Sequence, residues 1–369
     1  MTRSLASAGV LVWALLAVGC APAAPDLVLT GGRVFTATDD GPWAEAIAIR
    51  GDRVIAVGTA AEIAALAGPA TRRRELQGRV VVPGFNDAHV IDPGGDAAAV
   101  RAILAEGLAM GVTSVQWFAE ARTVAEVSRI LQQAGSPARV RVFRMPRPGS
   151  NGQTVDSRPH LPPQPTLRID IRGFGFRLGG DDPERIRQAV TWAFGTEDLL
   201  ALEPTDEAGL RHYVSALVST GVPEVWSRKR PRIEWPRQPL DEAMTSLREY
   251  GLSVIQGTAG NGVLQSRVLP AGAFAVGTGT GTRPFEALAW LMSSERGPQA
   301  WSGMEALTAM TRGGAVVELQ GRDKGFLAPG ALADLAVLSD DPLAMTSARA
   351  RELRSVLTLV GGEVVHDVP

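Results

Sequence analysis

Val80-Val81-Val82-Pro83-Gly84-Phe85-Asn86-Asp87-Ala88-His89-Val90-Ile91 decides how this chain is read. A β-branched run predicts a buried strand. A Pro-Gly break follows, and then a short segment that delivers Asp87 and His89 before turning apolar again at Ile91. A strand that ends in a carboxylate and an imidazole is a strand that enters a site.

Outward from this stretch, residues 83–326 alternate between two hydrophobic periods. Strands are predicted over 81–89, 114–118, 139–143, 173–178, 199–203, 232–235, 253–256 and 274–277. Helical patterns fall between most of them, over 97–110, 124–133, 183–194, 207–219, 240–250 and 284–294. Residues 145–165, rich in Pro and Gly, read as a long loop instead. Eight strands separated mostly by helices predict an α/β fold, a (β/α)8 TIM-type barrel. Strand patterns also sit at both chain ends. Residues 26–35 read as a hairpin with a Gly31-Gly32 turn, 46–58 as a second, and 355–365 as a third around Gly361-Gly362. These predict a small β-sandwich built from both ends, residues 21–82 with 327–369, around the barrel at 83–326.

The chain has 369 residues, 45% hydrophobic and 21% charged, with a formal net charge of −2. That balance gives no footprint for nucleic acid. Cys20 is the one cysteine, which excludes an intramolecular disulfide and any site of several thiolates. Arg3, an apolar run over 5–18 and Ala17-Val18-Gly19-Cys20 make residues 1–20 a secretory signal. The pattern resembles a bacterial lipoprotein signal with Cys20 as the lipidated residue. It implies export across the inner membrane and a lipid anchor, with Ala21 pointing to the outer membrane, facing the periplasm. Residues 21–25 then form a short tether.

The Pro83 to His89 motif resembles the first barrel strand of the amidohydrolase superfamily, most closely the amidohydrolase 3 family that includes N-substituted formamide deformylases. Lys324-Gly325-Phe326-Leu327-Ala328-Pro329-Gly330-Ala331-Leu332-Ala333-Asp334 resembles that family's return from barrel to sandwich. The resemblance implies a divalent metal at the barrel mouth, held by two histidines of strand one, a carboxylated lysine of strand four, histidines of strands five and six, and an aspartate of strand eight. Such a centre works by lowering the pKa of a bound water.

The matching positions here are His89 and Ile91, Arg177, Leu202 or with a one-residue slip Glu203, Trp235, and Gly279. An isoleucine, a leucine, a tryptophan and a glycine offer no side-chain lone pair to a metal. A guanidinium repels a cation and does not carboxylate like a lysine. The chain has only four histidines, and His160, His212 and His366 lie in the Pro-rich loop, within a predicted helix and near the chain end. His89 with Asp87, Asp92, Asp96 and Glu234 leaves a carboxylate-rich mouth whose weak metal candidates are His89, Asp87 and Asp92.

Two functional readings follow. In one, most metal ligands are gone, no cofactor is held, and the protein is a non-hydrolytic (pseudoenzyme) lipoprotein that binds a small molecule or a protein at the mouth. In the other, it is a hydrolase of carbon–nitrogen, non-peptide bonds with a site rebuilt around His89, holding at most a single weakly bound divalent metal such as zinc. The run Gly277-Thr278-Gly279-Thr280-Gly281-Thr282 reads as a strand-to-helix turn. It lacks the lysine of a phosphate loop. Arg72-Arg73-Arg74 and Arg228-Lys229-Arg230 read as solvated faces, with contact to an anion or phospholipid as the alternative. In the mouth, Arg177 is expected to take over part of the metal's electrostatic role.

Overall fold

The computed structural model describes residues 23–92, 94–120, 122–145, 168–235, 245–246, 248–257, 274–279 and 283–368. Eight parallel strands form one sheet in chain order: β8 (Phe85–Ile91), β9 (Val112–Glu120), β10 (Arg139–Met145), β11 (Ile169–Leu178), β12 (Leu199–Pro204), β13 (Arg232–Glu234), β14 (Ser253–Gly257) and β15 (Phe274–Gly277). The sheet closes where Val90 bridges Gly279. Gly279 N–H donates to the His89 carbonyl and Ile91 N–H to the Gly279 carbonyl, each at 2.9 Å. This is the (β/α)8 barrel.

Side chains alternate across each strand, as the pleat requires. On β9, Val115, Trp117 and Ala119 face the surrounding helices, while Ser114, Gln116, Phe118 and Glu120 face the lumen. Deeper in, β15 and β8 are separated by the helical segment Ala309–Val317. Glycines permit that approach. A Cβ on Gly313 would lie 2.2 Å from the Phe274 carbonyl, and one on Gly314 would lie 2.5 Å from that of Asn86.

Two further sheets pack face to face beneath the barrel. One has the order β5-β4-β1-β6, from β5 (Arg53–Gly58), β4 (Ala46–Arg50), β1 (Leu27–Thr30) and β6 (Arg72–Glu75). The other has the order β18-β17-β16-β7-β2-β3, from β18 (Glu363–Asp367), β17 (Ser355–Val360), β16 (Leu335–Leu338), β7 (Val80–Pro83), β2 (Arg33–Phe35) and β3 (Trp43–Ala44). Strands of both chain ends pair directly, β7 antiparallel with β16. Leu29, Ile47 and Ile49 of the first sheet share one core with Val81, Leu335 and Leu359 of the second. The turns at Gly51 and Gly361 differ in outcome from the one at Gly31. β4 and β5 pair antiparallel, as do β17 and β18. Residues 26–35 do not form a hairpin: β1 lies in one sheet and β2 in the other. A Cβ on Gly32 would meet the Arg79 carbonyl at 2.3 Å, so these glycines allow a crossing between layers rather than a reversal.

The sandwich sits against the N-terminal ends of the barrel strands. Gly84 N–H donates to the Asp334 carbonyl at 2.9 Å, and the buried Arg139 guanidinium holds the Asp334 carboxylate at 2.6 and 3.0 Å. The C-terminal mouth therefore opens on the far side. Among the described residues, no helix is long and apolar enough to cross a membrane. The loop predicted at 145–165 falls outside the described residues beyond Met145. So do most of the helix predicted at 240–250 and Thr280 to Thr282.

Candidate functional site at the barrel mouth

A hydrogen-bonded chain of polar side chains runs through the barrel lumen. At its base the Lys324 ammonium meets Glu318 Oε1 at 2.5 Å and also bonds the Ser114 hydroxyl. Asn86 Nδ2 donates to the same Glu318 oxygen at 2.7 Å. Gln116 Nε2 donates to Asn86 Oδ1 at 3.3 Å and to the Gly314 carbonyl at 2.9 Å. Arg232 then donates to Gln116 Oε1, to the Ala88 carbonyl and, at 2.6 Å, to Glu234 Oε1. The second Glu234 oxygen lies 2.8 Å from His89 Nδ1. The chain thus runs unbroken from the sandwich end to the mouth.

Burial explains why these groups are linked. Arg232 is 1% exposed and Glu234 5%. A lone buried charge is costly, and a paired, fully hydrogen-bonded one far less so. Desolvation pushes the Glu234 carboxyl up, but Arg232 and His89 outweigh it and hold it below the usual carboxylate range. An ionised carboxylate only accepts, so His89 carries its proton on Nδ1 and donates to Glu234. The imidazole stacks on Phe118 at 4.0 Å and 20°, and Phe118 stacks on Phe143 at 4.9 Å. Arg232 lies 4.8 Å from the Phe143 ring centre, a cation–π contact.

Asp87 lies beside this chain but outside it. It accepts from the Thr278 backbone N–H at 3.0 Å, from the Thr278 hydroxyl, and from His89 N–H at 3.3 Å. Burial pushes its carboxyl up to about 6, against the pull of those hydrogen bonds.

Each predicted site position has a definite place. Ile91 ends β8. Arg177 stands at the lumen rim of β11, 43% exposed, bridging Glu203 at 3.0 Å and Glu120 at 3.2 Å. The hydrogen bond to Glu203 raises its already high pKa. Its partners are therefore Glu203 and Glu120. The carboxylates of Asp87, Asp92 and Glu234 are held by other groups. On β12 the lumen-facing residues are Leu199, Ala201 and Glu203, while Leu202 packs outward among the helices. Trp235 likewise follows β13 into the helix-facing core, and its indole N–H has no hydrogen-bond partner among the described residues. Gly279 serves barrel closure through its backbone. Asp92 is held at 2.5 and 3.1 Å by Arg122 and accepts from Gly94 N–H at 2.9 Å.

The residue that reading by motif missed is Arg232. Its signal was available: Arg232 and Glu234 are two apart on a strand, so they share a face, and two charges on a buried face must be paired.

A metal does not fit these donors. His89 alone retains a suitable arrangement, with Nδ1 donated to a carboxylate and Nε2 left over. The other candidates are engaged: Glu234 by Arg232 and His89, Asp87 by Thr278, and Asp92 by Arg122. Among the described residues, no three His, Cys, Asp or Glu side chains are grouped to hold a metal ion.

Comparison with known proteins agrees with the barrel and sandwich. Residues 284–366 match the amidohydrolase family. A stretch of 82 residues is 38% identical to Protein LONG AFTER FAR-RED 3 of Arabidopsis thaliana, covering 22% of this chain and only 14% of that protein. A mutant of atrazine chlorohydrolase TrzN from Arthrobacter aurescens TC1, complexed with zinc and atraton, superposes with a TM-score of 0.71 at 17% identity, covering 92% of this chain and 95% of that one. A zinc-bound adenosine deaminase from Xanthomonas campestris gives 0.66 at 16% identity, covering 94% of each chain. An amidohydrolase from a Sargasso Sea environmental sample gives 0.69 at 17%, covering 93% of each. At such identities the likeness to solved structures is one of fold.

Proposed function

We propose, for a chain that has the amidohydrolase fold and matches the amidohydrolase family over residues 284–366, a binding protein that does not hydrolyse through a metal. It holds a small molecule or a protein partner at the barrel mouth. One observation carries this reading: the histidine of strand one is tied to Glu234, and Glu234 is tied to the buried Arg232. The mouth's charges are balanced by side chains rather than awaiting an ion. Turnover of N-formyl and other non-peptide amides, measured with zinc, with manganese and with a chelator, tests it. The expected rate equals that of buffer in all three. Metal-stimulated turnover that His89→Ala abolishes would contradict it.

The Thr278 hydroxyl on Asp87 favours a second reading, a hydrolase of carbon–nitrogen bonds rebuilt around His89. In that case the carboxylate accepts a proton from a partly exposed hydroxyl. Turnover that survives the chelator and is lost in both Asp87→Asn and His89→Gln would establish this second reading and displace the first.

The same proposal places the protein at a membrane through lipid on Cys20, at the outer membrane facing the periplasm. Several acyl chains on one cysteine make stable anchoring reasonable, because each buried CH₂ contributes about 0.8 kcal/mol. A Cys20→Ser variant that fractionates and is processed like wild type would refute the anchoring.

A further inference from the structure

The described chain begins at Ala23, three residues past Cys20, and its route there is fixed. The Ala23 carbonyl accepts from the Arg50 guanidinium, and the Pro25 carbonyl accepts from the Thr71 hydroxyl at 2.6 Å. Asp26 N–H donates to the Ile49 carbonyl at 2.8 Å, and Arg72 N–H to the Asp26 carbonyl at 3.0 Å. The tether thus leaves between the end of β4 and the start of β6.

Three exposed arginines surround that exit: Arg50, Arg72 and Arg73. Register places Arg73 beside Val28, and Val28 beside Ala48, so Arg73 and Arg50 lie on one face of the sheet, while Arg72, beside Leu27, lies on the other face at the same end of the strands. Two strand spacings, roughly 10 Å, separate Arg50 from Arg72. Arg74, by contrast, is held at 2.6 and 2.9 Å by Asp367 on the neighbouring sheet edge. Arg50, Arg72 and Arg73 have no carboxylate partner among the described residues. Of the nearby acids, Asp52 lies 3.8 Å from Arg53, Asp26 accepts from Gly51 N–H at 2.6 Å, and Glu75 accepts from the Thr30 hydroxyl.

We infer that Arg50, Arg72 and Arg73, on the two sides of the sheet end where the tether leaves, hold that end of the sandwich against anionic phospholipid headgroups. The inference rests on the anchoring of Cys20. From a lipidated Cys20, three residues reach at most about 10 Å, so the bilayer surface lies within about one Debye length of Ala23 and of the Arg50 guanidinium bonded to it, with Arg72 and Arg73 about two strand spacings further along the same sheet end. Each arginine held at an anionic surface favours contact about fivefold; allowing for Asp26 and Glu75, that end gains between about fivefold and a hundredfold. The patch orients the protein as well as holding it. The sandwich carries the patch at the N-terminal end of the barrel, so the mouth faces away from the bilayer.

A lipidated Cys20 has no free thiol, so one introduced cysteine can be labelled selectively. An environment-sensitive fluorophore at Ala70→Cys, next to the patch, is compared with one at Ala125→Cys on the helix Val124–Ala134. The lipidated full chain is bound to phosphatidylcholine vesicles, with or without about a third phosphatidylglycerol. The label at 70 should report a more apolar setting only on the anionic vesicles. The difference should vanish in the triple variant Arg50→Gln, Arg72→Gln, Arg73→Gln, and in about 1 M salt, where the Debye length falls to about 3 Å. The label at 125 should report no difference. Equal emission at 70 on both vesicles, in a protein that stays anchored, overturns the headgroup contact alone. A triple variant that keeps the lipid response overturns the role of the arginines. A protein that fractionates as soluble overturns the anchoring, and with it the headgroup contact.

Discussion

Glu234→Gln is the perturbation that bears most on the mouth. Gln keeps the shape and one acceptor but removes the charge that balances Arg232, whose Nε lies 2.6 Å away and which is 1% exposed. Removing one partner of a buried ion pair costs about 3–5 kcal/mol, since the remaining charge is left uncompensated. Spread over about 350 residues with an unfolding entropy of about 2.1 cal/mol/K each, that is a drop in Tm of about 4–7 °C. Arg232→Met should cost at least as much, because it also strips a donor from the Gln116 amide oxygen and the Ala88 carbonyl. The double variant removes both charges together. It should be less destabilised than the sum of the singles by about 2 kcal/mol or more. Differential scanning calorimetry of the four proteins at pH 7 measures the cycle. A Glu234→Gln protein as stable as wild type, or singles that add within about 0.5 kcal/mol, would refute the reasoning.

Asp87→Asn tests the second carboxylate. Burial raises its pKa to about 6, so its contribution to stability is fully present below about pH 4 and is lost as pH rises through about 6. The Asn variant lacks that titration and should gain on wild type by up to about 3 kcal/mol between pH 4 and pH 7; parallel Tm profiles would contradict this. Arg177→Met should lower Tm by no more than about 2 °C, because a pair this exposed contributes at most about 1 kcal/mol, and Arg177→Lys should recover part of it. A fall of several degrees more would place Arg177 within the lumen's buried chain.

The barrel was legible because it is written in local signals, a β-branched run before Pro83 and helix-period segments between strands, and the match to the amidohydrolase family over residues 284–366 was legible in the run from Lys324 to Asp334. Ile91, Trp235 and Gly279 need no structure to be recognised as residues without a side-chain lone pair for a metal. Their orientation was not legible. Whether Leu202 or Glu203 faces the lumen depends on the parity of β12, and only pairing with β11 fixes it, Arg177 opposite Glu203. β8 carries register shifts after Phe85 and after Asp87, which no local pattern announces. The Gly31-Gly32 step reads as a hairpin because a turn and a crossing use the same glycine freedom; the difference lies in the partner strands. Arg232 escaped notice for a related reason. Its partners Gln116 and Ala88 are 116 and 144 residues away in sequence, and the one local signal was its same-face spacing to Glu234.

The central claim is that side chains, not an ion, balance the charges of this mouth. Elemental analysis of the full protein, purified from cells grown with zinc and manganese, tests it most directly. The account predicts far less than one metal ion per chain, and no change on His89→Ala. One tightly held ion per chain, lost on His89→Ala, would contradict it.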